Sequence, residues 1–109
     1  AQFDLAVMHQ KGEGVPLDLM AAADWYRAAG TQNFGQAQFN LAVLYQLGLG
    51  LPQDPVEAFI WFGRAALQNV YGARQRMDTV SQIMSPEQLE DAMKILNKEM
   101  QDLMYMNHQ

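Results

Sequence analysis

Ala37-Gln38-Phe39-Asn40-Leu41-Ala42-Val43 restates Ala1-Gln2-Phe3-Asp4-Leu5-Ala6-Val7 at a distance of 36 residues, and the correspondence continues beyond it. Gly12, Gly14, Pro16, Asp18, Ala22, Trp25 and Ala29 return as Gly48, Gly50, Pro52, Asp54, Ala58, Trp61 and Ala65 at the same offset. Two unrelated helical segments would share apolar periodicity, but they would not also share a Gly-x-Gly-x-Pro-x-Asp string in register. The segment is a duplication, and a fixed period of this length marks a solenoid of stacked units.

Each unit reads as two helices. In the second unit, Ala37, Leu41, Leu44 and Tyr45 fall on one face of the first helix, and Ala58, Trp61, Phe62 and Ala65 on one face of the second. Small alanines let helices approach while the aromatics fill the gaps. Gly48 and Gly50 stop the first helix where positive φ is needed, and Pro52 keeps the chain extended. Asp54 is placed to cap the second helix, with Pro55 in its first turn and Glu57 three residues on, the pattern of a capping box.

A third unit starts on schedule at Ala73, where Ala73, Met77 and Val80 repeat the apolar spacing without the Gly-x-Gly loop. Ser85-Pro86-Glu87-Gln88 opens another capped helix. In it Leu89, Ala92, Met93 and Leu96 stand for Ala58, Trp61, Phe62 and Ala65, and Met100 and Leu103 continue the core stripe. Its other side is polar, with Glu90 and Lys94 spaced for an i,i+4 pair. The expected organisation is therefore all-α and a single domain over 1–109: unit 1–36, unit 37–72, and atypical capping helices over 73–109.

Composition narrows the function. The chain has 109 residues and a net charge of −5 with only seven Lys and Arg, which argues against nucleic acid as partner. Arg74 and Arg76 form its one basic cluster and read as a solvated helix face. No apolar run is long enough to insert in a membrane. Without cysteine there is neither a disulfide framework nor a thiolate metal site. The start at Ala1, with no initiator Met or signal segment, reads as a fragment or processed chain.

These residues resemble the Sel1-like repeat family of the tetratricopeptide-like superfamily. The second unit carries the family's pattern as Ala37, Leu41, Ala42, Tyr45, Gly48, Gly50, Asp54, Ala58, Trp61, Phe62, Ala65 and Ala66. The first departs mainly at His9, where the family has Tyr. The resemblance implies a right-handed superhelix of antiparallel helix pairs whose concave face, lined by the first helix of each pair, binds proteins or peptides. It also implies an adaptor or scaffold role in bacterial cytoplasm, periplasm or secretion settings, or in endoplasmic reticulum quality control. No cofactor is implied.

Nothing in the residues points to catalysis. His9 reads as a packing residue and His108 as tail, while Glu90 and Asp91, adjacent on a helix, diverge by about 100°. Gly12-Glu13-Gly14 and Gly48-Leu49-Gly50 lack the third Gly and the Lys-Ser/Thr of a phosphate loop. The methionine-rich end of the chain is not a metal site on this reading, and Met104 and Met106 read either as an apolar contact or as tail.

Transferred position by position, the binding face comprises Phe3, Val7, Gln10, Lys11, Phe39, Val43, Gln46, Leu47, Gln75, Thr79 and Gln82. Its Phe and Val members equally suit packing between units. A second stripe appears where Asp24, Arg27 and Thr31 of the first unit become Ile60, Gly63 and Leu67 of the second. Either the final helix covers this stripe within the chain, or it is a contact for a partner or a second copy, which would make the chain a self-association module.

Overall fold

The computed structural model describes residues 18–107, and these form five helices with no strand among the described residues: α1 Leu19–Gly30, α2 Gly35–Leu47, α3 Pro55–Leu67, α4 Ala73–Ser81 and α5 Pro86–Asn107. Helix α1 falls in the first copy of the duplication and α2 and α3 in the second, and α4 and α5 follow them. Successive helices α1 to α4 pack in chain order, and α5 folds back on α3.

The duplicated signals give duplicated geometry. Asp18 and Asp54 both cap a helix at φ −145° and ψ 97°, the Asp18 carboxylate accepting from the Ala21 N–H and that of Asp54 from two N–H groups of the first turn. Only half of the expected box forms at Asp54. Its side chain takes the N–H groups of Val56 and Glu57 at 3.1 Å, but its own N–H donates to the Tyr45 carbonyl at 3.0 Å. The loop tucks back onto α2, so no donor is left for Glu57. The full box forms at α5, where Ser85 N–H donates to Gln88 Oε1 and Gln88 N–H to Ser85 Oγ.

Gly48 closes α2 in the left-handed conformation, and Gly50 follows at φ +77°. A Cβ at position 50 would lie 2.5 Å from the Leu19 carbonyl carbon, so this loop rests directly on the start of α1. The turns between units use a different residue. Asn33 and Asn69, again 36 apart, both take positive φ, at 66° and 61°, a conformation that asparagine tolerates better than most side chains.

Alanines at 22, 37, 42, 58, 65, 73 and 92 are wholly buried, so these helices can approach closely. Tyr26, Leu41, Leu44, Phe62 and Val80 are the largest of the fully buried side chains between them. Along α5 the buried line is Ala92 and Leu96. Met93, Met100 and Leu103, expected in that stripe, are 40%, 41% and 38% exposed. Because α3 meets only a narrow side of α5, Met93, about 100° round from Ala92, falls outside the contact.

Candidate functional site

Four of the expected binding-face residues, Phe3, Val7, Gln10 and Lys11, lie outside the described residues, as do His9, His108 and the first Gly-x-Gly loop. The other seven lie on α2 and at α4, both of which pack against α3. Phe39 is half-buried and meets Phe62 of α3 edge to face, with ring centroids 5.3 Å apart. Val43 is also half-buried against the core, and Leu47, one turn on, is exposed. Gln75, Thr79 and Gln82 are exposed on the α4 side. Thr79 turns its hydroxyl inward, donating to the Gln75 carbonyl.

Arg76 joins these two helices. Its Nη1 donates to Gln46 Oε1 at 3.1 Å, and its guanidinium carbon lies 5.8 Å from the Phe39 ring centroid. The basic cluster is therefore divided: Arg76 contacts α2, while Arg74 borders a separate hollow with Tyr71 and Asn69. Two residues apart on a helix, they diverge by about 200°. Helix α2 has no Asp, Glu, Lys or Arg at all.

The second stripe is largely covered. Ile60 is 4% exposed and Gly63 is buried against Leu96 of α5, while Leu67 is half-buried. Their counterparts in the first unit keep polar partners: Arg27 pairs with Asp24, lies over the Tyr45 ring and donates to its hydroxyl, and Thr31 donates to the Ala28 carbonyl. Just beyond Gly63, Arg64 lies over the Trp61 ring, 4.4 Å from its centroid, and grips Glu99 of α5 with Nε and Nη2.

That clamp borders a hollow of about 400 Å³ between α1, α2, α3 and α5, whose lining includes Thr31, Gln38, Trp61, Leu67, Leu103 and Met106. Gln38 is buried there. Its amide donates to the Gly30 carbonyl at 2.9 Å, and its Oε1 has no hydrogen-bond partner among the described residues. Past α3, the last turns of α5 leave Met104, Tyr105 and Met106 exposed.

Sequence reasoning did not find Arg76 as a bridge or Arg64 as a clamp, because both depend on neighbours distant in the chain. The repeated asparagines at 33 and 69 were visible signals for the turns. Burial pushes the Tyr26 phenol above its ordinary value near 10, partly opposed by its hydrogen bond with Asn40. Among the described residues, no cluster of three or more His, Asp or Glu could hold a metal, and no helix is long and apolar enough to cross a membrane.

Comparison with known proteins bears on this geometry. The Sel1 repeat family model matches residues 1–34 and 35–70. A Sel1 repeat protein from Oxalobacter formigenes superposes with a TM-score of 0.68 at 38% identity, over 70% of this chain and 31% of that one. A protective antigen of uropathogenic Escherichia coli with an SLR fold superposes with a TM-score of 0.83 at 30% identity, over 90% of this chain and 21% of its own. The chain thus spans about a third and a fifth of these two solenoids. No relative matches among curated proteins.

Proposed function

The chain belongs to the Sel1 repeat family, and from that premise we propose that it is a non-enzymatic adaptor or scaffold that binds a protein or peptide across the face shared by α2 and α4. Members of the family act in general as protein-interaction scaffolds. The observation carrying the reading is the arrangement around Phe39. A half-buried apolar strip of Phe39 and Val43 runs into exposed Leu47, and exposed amides and Arg76 edge it from α4. Apolar anchors with hydrogen-bonding groups beside them suit a segment bound through its side chains. Residues 1–109 act as one domain on this reading, with α4 and α5 capping the stack.

A second reading is self-association. It draws support from Met104, Tyr105 and Met106, exposed together at the end of α5. Ile60 and Gly63 lend it less support, since both are buried, Gly63 against Leu96 of α5.

A photo-crosslinking side chain placed at position 47, 105 or, as a control, 90 separates the readings in the native cell. Adducts with another protein confined to position 47 are expected. Dimer adducts confined to position 105 would replace the first reading with the second, and no adduct at 47 would remove the first.

A further inference from the structure

Resting on the reading of the α2/α4 face as a binding surface, we propose that its partner is an acidic peptide segment, with one carboxylate on Arg76 and an apolar side chain on Leu47. The basis is charge complementarity. The ion pairs formed by the described residues are Arg27 with Asp24, Arg64 with Glu99 and Lys94 with Glu90, and none lies on this face. Helix α2 is without formal charge, and α4 carries Arg74, Arg76 and Asp78, a net +1. Helix α5 carries Glu87, Glu90, Asp91, Glu99 and Asp102 against Lys94 and Lys98, a net −3. Helices α1 and α3 each balance one acid with one base, so among the described helices α4 is the one with a net positive charge.

Arg76 is also held in place. Its partners, the Gln46 amide oxygen and the Phe39 ring, fix the guanidinium without neutralising it. Asp78 sits about 200° round the helix, too far to serve as its counter-ion. A planar guanidinium positioned this way, with donors to spare, matches a carboxylate's two oxygens. Exposed Leu47 lies one residue on from Gln46 along α2 and supplies the apolar contact. A basic segment would meet Arg76 with like charge and find no carboxylate on α2.

The test is selection of short random peptides on the full chain, followed by titration of the enriched sequences against Arg76→Gln, Arg76→Lys, Arg76→Glu and Leu47→Ser, with helix content followed by circular dichroism. Enrichment of Asp and Glu beside an apolar residue is expected. Affinity should fall about tenfold in Arg76→Gln, the worth of a charge-assisted hydrogen bond. It should be only partly kept in Arg76→Lys, which retains the charge but not the planar fork, and it should be weakened by added salt. Arg76→Glu should invert the preference toward Lys and Arg, which loss of packing alone would not do. Neutral or basic peptides that bind as tightly, and weaken in Leu47→Ser, would overturn the acidic partner while leaving the face intact as a binding surface. No enrichment, or binding indifferent to all four substitutions, would overturn both.

Discussion

Gly63 of α3 and Leu96 of α5 are packed so closely that a Cβ at position 63 would lie 2.4 Å from Leu96 Cδ1 and 2.8 Å from Cδ2. The first unit has Arg27 at this position, so the change to glycine is what admits the final helix. In a helix interior, alanine is normally better than glycine by about 0.5–1 kcal/mol. Here overpacking of about 1–3 kcal/mol opposes that gain. Gly63→Ala should therefore destabilise the native chain but stabilise a Leu96→Ala background, where the obstruction is gone. Urea unfolding of the four proteins reads the reversal, and the same sign in both backgrounds would show that the two residues are not coupled.

The burial of Ile60, 4% exposed, sets a second expectation. Ile60→Asp buries a charge without a partner and should cost on the order of 3–5 kcal/mol, with a clear fall in melting temperature. Leu67→Thr, at a half-buried position, should cost about 1 kcal/mol or less. Light scattering on the same proteins tests the alternative. If Ile60→Asp melted like the parent but lost a dimer, the stripe would be an intermolecular contact.

At the turns between units, Asn33 and Asn69 hold φ values of 66° and 61°. Alanine at either position should destabilise by about 1 kcal/mol, because a Cβ without a compensating polar group disfavours the left-handed region. Glycine should be neutral or slightly stabilising. Equal losses for Ala and Gly in thermal melts would mean that the asparagine side chains, rather than the backbone angles, hold these turns.

The fold was legible because it is written twice. Period, glycine loop and aspartate cap each recur at 36, and a repeated irregularity such as Gly-x-Gly reports backbone geometry more directly than apolar periodicity does. What could not be read is where the chain meets itself non-periodically. Met93 and Met100 satisfied the spacing of a core stripe, yet α3 is narrower than that stripe and leaves them exposed. On the candidate face, α2 followed from the repeat alone, but Arg76 looked like one half of a solvated pair. Its link to Phe39 and Gln46 depends on how far α4 lies from α2 across α3, a distance no local pattern encodes. Arg64 stands where the first unit has Ala28, and the length of α5 brings Glu99 to it.

The Arg64–Glu99 clamp should be measurable as a coupling. Both side chains are about a third exposed, at 27% and 33%, so screening reduces the pair to a coupling of about 1 kcal/mol in a double-mutant cycle. Added salt should diminish it. Arg64→Lys should lose most of the coupling, since an ammonium can neither bridge both carboxylate oxygens nor stack as a plane on Trp61. A cycle with no coupling at low salt would reduce the pair to a surface contact and leave Leu96 and Ala92 to hold α5.

Tyr26 gives an alkaline signature with a defined sign. It is 1% exposed, and burial raises its phenol above the ordinary value near 10, more than the hydrogen bond with Asn40 lowers it. Between the unfolded value and the higher folded one, the unfolded chain has lost the proton that the folded chain keeps. Stability therefore falls as pH rises through that window, and this contribution is complete only below about 10. Tyr26→Phe removes the titration along with the hydrogen bond. At neutral pH the variant should be less stable by about 1 kcal/mol. Above pH 10 the gap should close and then reverse, because the parent's advantage drains away while phenylalanine has no proton to lose. Urea midpoints of the two proteins across a pH series isolate this effect, since other groups titrating in that range are common to both. Curves that stay parallel through the alkaline limb would show that Tyr26 ionises in the folded chain as easily as in the unfolded one.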